Sequence, residues 1–220
     1  MAVASRLRIG VFGGTFDPIH FGHLRMALEL HQQLALTRVH MVVASVPPHR
    51  DQPVAAPAHR LAMLQRAVDH HVGLQADDRE LRRTGPSFMI DTLAEFRAEY
   101  GQEAAICLAM GADAFAGLTG WERWEQLLDL VHLVVMARPA APALSAQLQT
   151  WAHPHWSDDH EAALTDTPAG RILRVELSQL AISATAIRAQ FGAGSDPGFL
   201  LPDTVIDYIE QHRLYVEQGA

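Results

Sequence analysis

LRIGVFGGTFDPIHFGH, from Leu7 to His23, is the stretch on which the reading of this chain turns. An apolar run through Arg8–Phe12 reads as a strand. Gly13 and Gly14 follow it directly, then a Phe-Asp-Pro turn, then His20 and His23. The glycines let the backbone turn sharply and approach a ligand closely. The chain enters a helix near Phe21 or Gly22, and a helix N-terminus offers unpaired N–H groups and a partial positive charge. His20 and His23 bracket that start and project to one side. Spacing alone leaves four roles open: metal ligand, acid–base group, grip on phosphate, or a histidine that merely sits at a helix start. The glycines do not form the G-x-G-x-x-G of dinucleotide sites, and the helical HxxxH zinc spacing is absent.

Outward from this stretch, short apolar runs alternate with amphipathic ones. Strands are expected at Arg8–Phe12, Val39–Ala44, Ala104–Met110, His132–Ala137 and Ile172–Leu177. Helices are expected at Gly22–Leu34, Ala58–His70, Ser87–Tyr100, Glu122–Leu128, Ala184–Phe191 and Thr204–His212. The strands are rich in Val, Ile and Leu without clean alternation, the pattern of a parallel sheet covered on both faces. The fold class is therefore α/β, doubly wound and mostly parallel. In such sheets ligands bind beyond the carboxyl ends of the strands, which is where Gly13 and Gly14 fall. No internal repeat or domain linker is visible, so residues 1–220 read as one domain. Within it, Arg138–Gly170 holds Pro139, Pro142, Pro154 and Pro168 and reads as a long irregular connection. Its HPHWSDDH run, with His153, His155 and His160, reads as a polar loop with incidental histidines. DDRELRR (Asp77–Arg83) reads as a solvated charged face.

Composition narrows the function. The chain has 220 residues, is 49% hydrophobic and has a net charge of −8. That balance offers no basic footprint for nucleic acid. No run of about 18 apolar residues appears, so no membrane span is expected. The N-terminus lacks the pattern of a secretory signal, and a single cysteine, Cys107, fits a reducing cytoplasm. Cys107 sits in an apolar run and reads as a buried, inert thiol. All basic residues are arginine, so the Gly-Lys-Ser/Thr of P-loop enzymes is excluded.

GGTFDPIHFGH resembles the GGxFDPxHxGH signature of the HxGH nucleotidyltransferases, and within them the nicotinate mononucleotide adenylyltransferases of bacterial NAD synthesis. VPPHR (Val46–Arg50), ELRRTGPSFMIDTL (Glu80–Leu93), MGADAFAGLTGWERWEQLL and LAISATAIR (Leu180–Arg188) resemble that family's further blocks, in the same order. LLPDTVIDYI resembles its final helix. The resemblance implies a Rossmann-like HxGH fold with a short C-terminal helical part. It implies transfer of AMP from ATP to nicotinate mononucleotide, with pyrophosphate released. The nucleophile is the mononucleotide's 5′-phosphate, already anionic, so positioning and charge stabilisation carry the catalysis and no general base is required.

By resemblance, His20, His23 and Arg188 are catalytic. Gly13, Gly14, Thr15, Phe16, His49, Arg50, Ser183 and Thr185 join them in holding ATP. Ser183 also has the position of a cap for a helix starting near Ala184. Gly14, Thr15, Ser87, Met89, Asp113, Trp121 and Glu122 take the mononucleotide, with Trp121 stacking on its ring and backbone N–H groups near Met89 and Glu122 on its carboxylate. Trp124, one turn on, reads as packing. The plain alternative for Asp113 is a helix N-cap. Mg2+ is implied with ATP and no protein metal site is. The partners implied are the two substrates, with room for a homo-oligomer.

Two departures bear on the acceptor. The family commonly has Thr at Met89 and an aromatic at Glu122, and a carboxylate at 122 repels a nicotinate unless it points away. Rival readings are a transferase of the same fold using nicotinamide mononucleotide or phosphopantetheine, and a non-catalytic nucleotide sensor.

Overall fold

The computed structural model describes residues 6–45, 53–137 and 142–216. The first strand, β1 (Arg8–Gly14), runs into α1 (Phe21–Gln33), β2 (Arg38–Val43), α2 (Pro57–Val68) and β3 (Leu74–Asp77). Then come α3 (Arg79–Arg82), α4 (Met89–Tyr100), β4 (Ala105–Gly111), α5 (Ala112–Ala116), α6 (Leu127–Leu130) and β5 (His132–Met136). The last third holds α7 (Ala146–Ala152), β6 (Trp156–Ser157), α8 (His160–Asp166), β7 (Ile172–Val175), α9 (Ala184–Gly192) and α10 (Asp203–Gln211).

The strands form one sheet in the order β3-β2-β1-β4-β5-β7-β6, and every pairing is parallel. Parallel strands need crossovers, and the helices supply them on both faces. Strand periodicity splits the core accordingly. Ile9 and Val11 of β1, with Ile106 and Leu108 of β4, pack against Ile90, Leu93 and Phe96 of α4. Phe12, Cys107 and Ala109 turn the other way, into a core shared with α1, α2, α9 and α10. The winding runs outward from β1 to β3, then returns to start β4 on the opposite side of β1. That reversal opens a crevice beyond the carboxyl ends of β1 and β4.

Several expectations need correction. β3 and β6 lie at the two edges of the sheet and do not register as apolar runs: LQAD of β3 has too few apolar residues, and β6 has only two residues. The region expected to be irregular contains α7, β6 and α8. Two polar side chains start those helices: Ser145 accepts from the Leu148 N–H, and Asp159 from the Ala162 N–H. The helix expected at Glu122–Leu128 is a 3-10 turn at Trp124–Gln126 followed by α6, because Arg123 takes a left-handed backbone with φ of 49°. DDRELRR is not a solvated face. Asp77, Arg79 and Glu80 are buried, and Arg79 pairs with Asp77 at 2.7 Å while its guanidinium lies over the Phe96 ring.

Candidate active site

The crevice at the strand reversal is a cavity of about 1060 Å³. Gly13, Gly14, Thr15 and Phe16 form one wall, from the turn that leaves β1. His20 and His23 come from the start of α1, Asp113 from α5, and Thr185 and Arg188 from α9. Segments more than 160 residues apart thus converge on one space, as the spacing of the sequence blocks requires.

Two glycines make the turn possible. A Cβ on Gly14 would sit 2.6 Å from the Phe16 ring, and one on Gly22 would sit 3.0 Å from the His20 imidazole. Gly22 therefore lets His20 fold back over the helix start. The His20 and His23 rings stack with centroids 3.8 Å apart, and Phe16 meets His23 edge-on at 5.2 Å. The Nδ1 atoms of both histidines are buried without a hydrogen-bond partner. Burial lowers the His20 pKa to about 4. Burial, and secondarily the neighbouring His20, lowers that of His23 to about 3. Both rings are neutral at pH 7, and each carries one N–H to donate.

On the facing side, Ser183 caps α9 by accepting the Ala186 N–H at 3.1 Å. Arg188 Nη1 donates to the Asp17 carbonyl at 2.7 Å, and Nη2 donates to Thr185 Oγ1 at 3.3 Å. Ser183 itself is exposed and lies beside the cavity wall.

Beneath the turn lies an arginine that sequence reasoning missed. Arg60 of α2 is 0% exposed, and its Nη1 donates to the carbonyls of Thr15 and Ala44, each at 2.8 Å. One guanidinium thus ties the turn after β1 to the end of β2. A signal was present: Arg60 shares a helical stripe with Met63, Leu64 and Val68, an arginine on an apolar face.

Ser87, Met89, Trp121 and Glu122 do not line this cavity. They gather next to it. The Met89 methyl lies 3.2 Å from where a Cβ on Gly13 would be, so α4 begins against the cavity floor. The Phe88 N-cap of α4 has no side-chain cap. An Arg123–Asp91 ion pair ties the Trp121–Glu122 turn to the first turn of α4. Arg83 donates to Ser87 Oγ and Thr92 Oγ1, each at 2.8 Å; Thr92 in turn donates to Glu80 at 2.8 Å. Glu80 also accepts the Ser45 N–H at 3.2 Å. The motif misread as a solvated face therefore braces α4 against β2. Trp121 is half-buried against the core, and Trp124 is buried edge-on to Trp151 at 4.8 Å, a packing role. Glu122 is exposed, 3.9 Å from the Arg123 guanidinium. Gly111, not Asp113, holds the N-cap position of α5. His49 and Arg50 lie outside the described residues.

Among the described residues no three His, Cys, Asp or Glu side chains gather in a way that could hold a metal ion. His155 of the histidine-rich run bonds the Gly170 carbonyl at 3.0 Å. Cys107 is buried in β4, and burial pushes its thiol up to about 12. No helix among the described residues is long and apolar enough to cross a membrane.

A parallel sheet with a glycine turn, two neutral imidazoles and a capped helix at its switch point is a nucleotide-handling design. Comparison with known proteins agrees: residues 11–190 match the cytidylyltransferase-like family, and the chain belongs to it. The more particular branch follows from its relatives. A Pseudomonas aeruginosa protein named "Probable nicotinate-nucleotide adenylyltransferase" is 46% identical over 209 residues, covering 94% of this chain and 97% of the relative. A Cellvibrio japonicus protein of the same name is 46% identical, covering 96% and 99%. The chain is a nucleotidyltransferase of this nicotinate-nucleotide adenylyltransferase branch, which serves NAD biosynthesis. In fold it is similar to the Plasmodium falciparum nicotinic acid mononucleotide adenylyltransferase complexed with NaAD, with a TM-score of 0.69 at 15% identity, covering 96% of this chain and 98% of that one.

Proposed function

We propose that this enzyme joins ATP to nicotinate mononucleotide by direct in-line displacement in the cavity between β1, β4 and α9. The mononucleotide phosphate attacks the α-phosphorus of ATP, the new anhydride bond forms, and the bond to the pyrophosphate oxygen breaks. Deamido-NAD and pyrophosphate are the products. The nucleophile is an anion at neutral pH, so no base is needed.

The observation that carries this reading is the stacked pair of neutral, partly unpartnered histidines facing Arg188. Neutral imidazoles that donate N–H groups stabilise charge as it grows on the leaving phosphates. His20 and His23 take that role, with Arg188 opposite. Gly13, Gly14, Thr15, Phe16, Ser183 and Thr185 complete the ATP side, and the likeness of VPPHR to the family's loop assigns His49 and Arg50 to the same phosphates. Mg2+ would arrive with ATP and would offset the charge of its phosphates. Asp113 meets the mononucleotide, Trp121 stacks on its ring, and the open start of α4 near Ser87 and Met89 faces its carboxylate. Arg123, paired with Asp91, also lies 3.9 Å from Glu122 and offsets part of the negative charge there. Residues 1–220 act as one catalytic domain in the cytoplasm.

The test is pyrophosphate release from ATP, Mg2+ and nicotinate mononucleotide, run beside nicotinamide mononucleotide and phosphopantetheine. Release should be fastest with nicotinate mononucleotide and absent from the His20→Ala/His23→Ala variant. ATP binding without turnover of any acceptor would instead favour a nucleotide sensor.

A further inference from the structure

One contact reaches the candidate site from the far end of the chain. The Tyr215 hydroxyl donates to Asp17 Oδ1 at 2.6 Å across a separation of 198 residues. Asp17 belongs to the turn between the glycines and His20, and its carboxylate is buried. Oδ1 also accepts the Ala55 N–H at 3.1 Å, and Oδ2 accepts the Val54 N–H at 2.7 Å. The carbonyl of the same residue receives Arg188 Nη1. Asp17 is thus held on its side chain by Tyr215 and two backbone donors, and holds Arg188 through its backbone.

The C-terminal segment is bent to make this contact. Arg213 and Tyr215 both take left-handed backbones, with φ of 51° and 64°. Residues bearing a Cβ keep that conformation only where surrounding structure enforces it. The Tyr215 ring packs on Phe191 of α9, with centroids 6.2 Å apart, so it touches the helix that carries Arg188. Burial and the bond to Asp17 raise its pKa, so the phenol stays a donor throughout the working range.

We propose that Tyr215 is a positioning residue for nucleotidyl transfer. Through Asp17 it fixes the turn that carries His20 and His23 and the carbonyl on which Arg188 is set. It does not line the cavity that holds His20 and His23. The inference rests on the ATP side of the cavity and not on the choice of acceptor.

Tyr215→Phe deletes the hydroxyl and keeps the ring against Phe191. Positioning predicts that kcat falls about tenfold and that the Kd for magnesium–ATP rises about fivefold, while the KM for the mononucleotide stays within about twofold. Tyr208→Phe is the control: its hydroxyl bonds His59 Nδ1 at 2.9 Å, away from the cavity, and its loss should leave both quantities unchanged. The variant Asp17→Asn/Tyr215→Phe should be no worse than Asp17→Asn alone, because the two groups act in series. A magnesium–ATP Kd within twofold of the parent in Tyr215→Phe overturns the proposal. So do equal losses in Tyr208→Phe, and so do losses that multiply in the double variant. The nucleotide-binding arm decides even if nicotinate mononucleotide proves not to be the acceptor, an outcome that would count against the acceptor assignment alone.

Discussion

His40 and the His20–His23 pair are built in opposite ways. His40, in β2, has both ring nitrogens bonded, Nδ1 to Asp77 at 2.9 Å and Nε2 to Tyr100 at 2.7 Å. Asp77 is held in turn by Arg79, and that network keeps its carboxyl well below the usual range. His20 and His23 are stacked on each other, with both Nδ1 atoms buried and unpartnered. Native structures bond nearly all their buried polar groups. The first group obeys that rule and ties β2, β3 and α4 together. The second breaks it in two rings that line the cavity. Bonded imidazole serves the fold; unbonded imidazole, on the function proposed above, serves the substrate.

The largest effect should separate these two roles. His23→Ala should lower kcat by about 10²–10³-fold, the usual loss for one transition-state donor. Its effect on mononucleotide binding should be far smaller, and stability should change by only about 1 kcal/mol. Steady-state kinetics with denaturant unfolding reads all three. Equal losses in kcat and in mononucleotide affinity would remove His23 from the transition state.

His40→Ala should do the reverse. Asp77 keeps its bonds to Arg79, so the loss comes from the emptied space and the stranded Tyr100 hydroxyl, on the order of 2–4 kcal/mol, and the unfolding midpoint should drop. Turnover per folded molecule should stay close to the parent. A large kcat loss in fully folded protein would erase the contrast.

pH sharpens it further. In the unfolded chain an imidazole binds a proton near pH 6.5. In the folded protein burial holds His20 neutral down to about 4, His23 to about 3 and the core residue His132 to about 4. Between those values the unfolded state carries more protons. Stability is therefore full above about pH 6.5 and is lost as pH falls, on the order of 1 kcal/mol per pH unit for each ring. Replacing His20 and His23 with Asn should flatten the acid limb of a plot of Tm against pH. An unchanged limb would mean that these rings are hydrated in the native state.

The smallest effect belongs to a satisfied group beside the cavity. Ser183→Ala removes the α9 cap and should cost about 1 kcal/mol, with a KM for ATP only a few-fold higher. Calorimetry and kinetics on the same sample give both numbers. A loss as large as that of His23→Ala would make Ser183 part of the transition-state grip.

Much of this was legible in the chain. Apolar runs located β1, β2, β4, β5 and β7, because each is dominated by buried aliphatic residues. The histidine spacing, the glycines and the Ser183 cap are local signals; the first two lead to the cavity wall and the third to the helix beside it. What escaped depends on distant partners. LQAD of β3 has too few apolar residues to stand out, yet it pairs in register with β2. The charges of DDRELRR looked solvated because their partners, His40, Thr92 and Glu99, lie elsewhere in the sequence. Tyr215 gives no local hint of Asp17, since only tertiary folding brings position 215 to position 17.

Cys107 lies in the strand next to β1, 1% exposed, with its thiol pushed up to about 12. It is the chain's one thiol, and there is no lysine amine to compete for reagent. A thiol-reactive dye can reach it only when the central sheet opens, so the labelling rate reports how often that happens. The molecule carries its own unfolding clock, set between the strands whose ends build the site. A variant that fails to turn over but still labels slowly has lost its chemistry; one that labels fast has lost its frame.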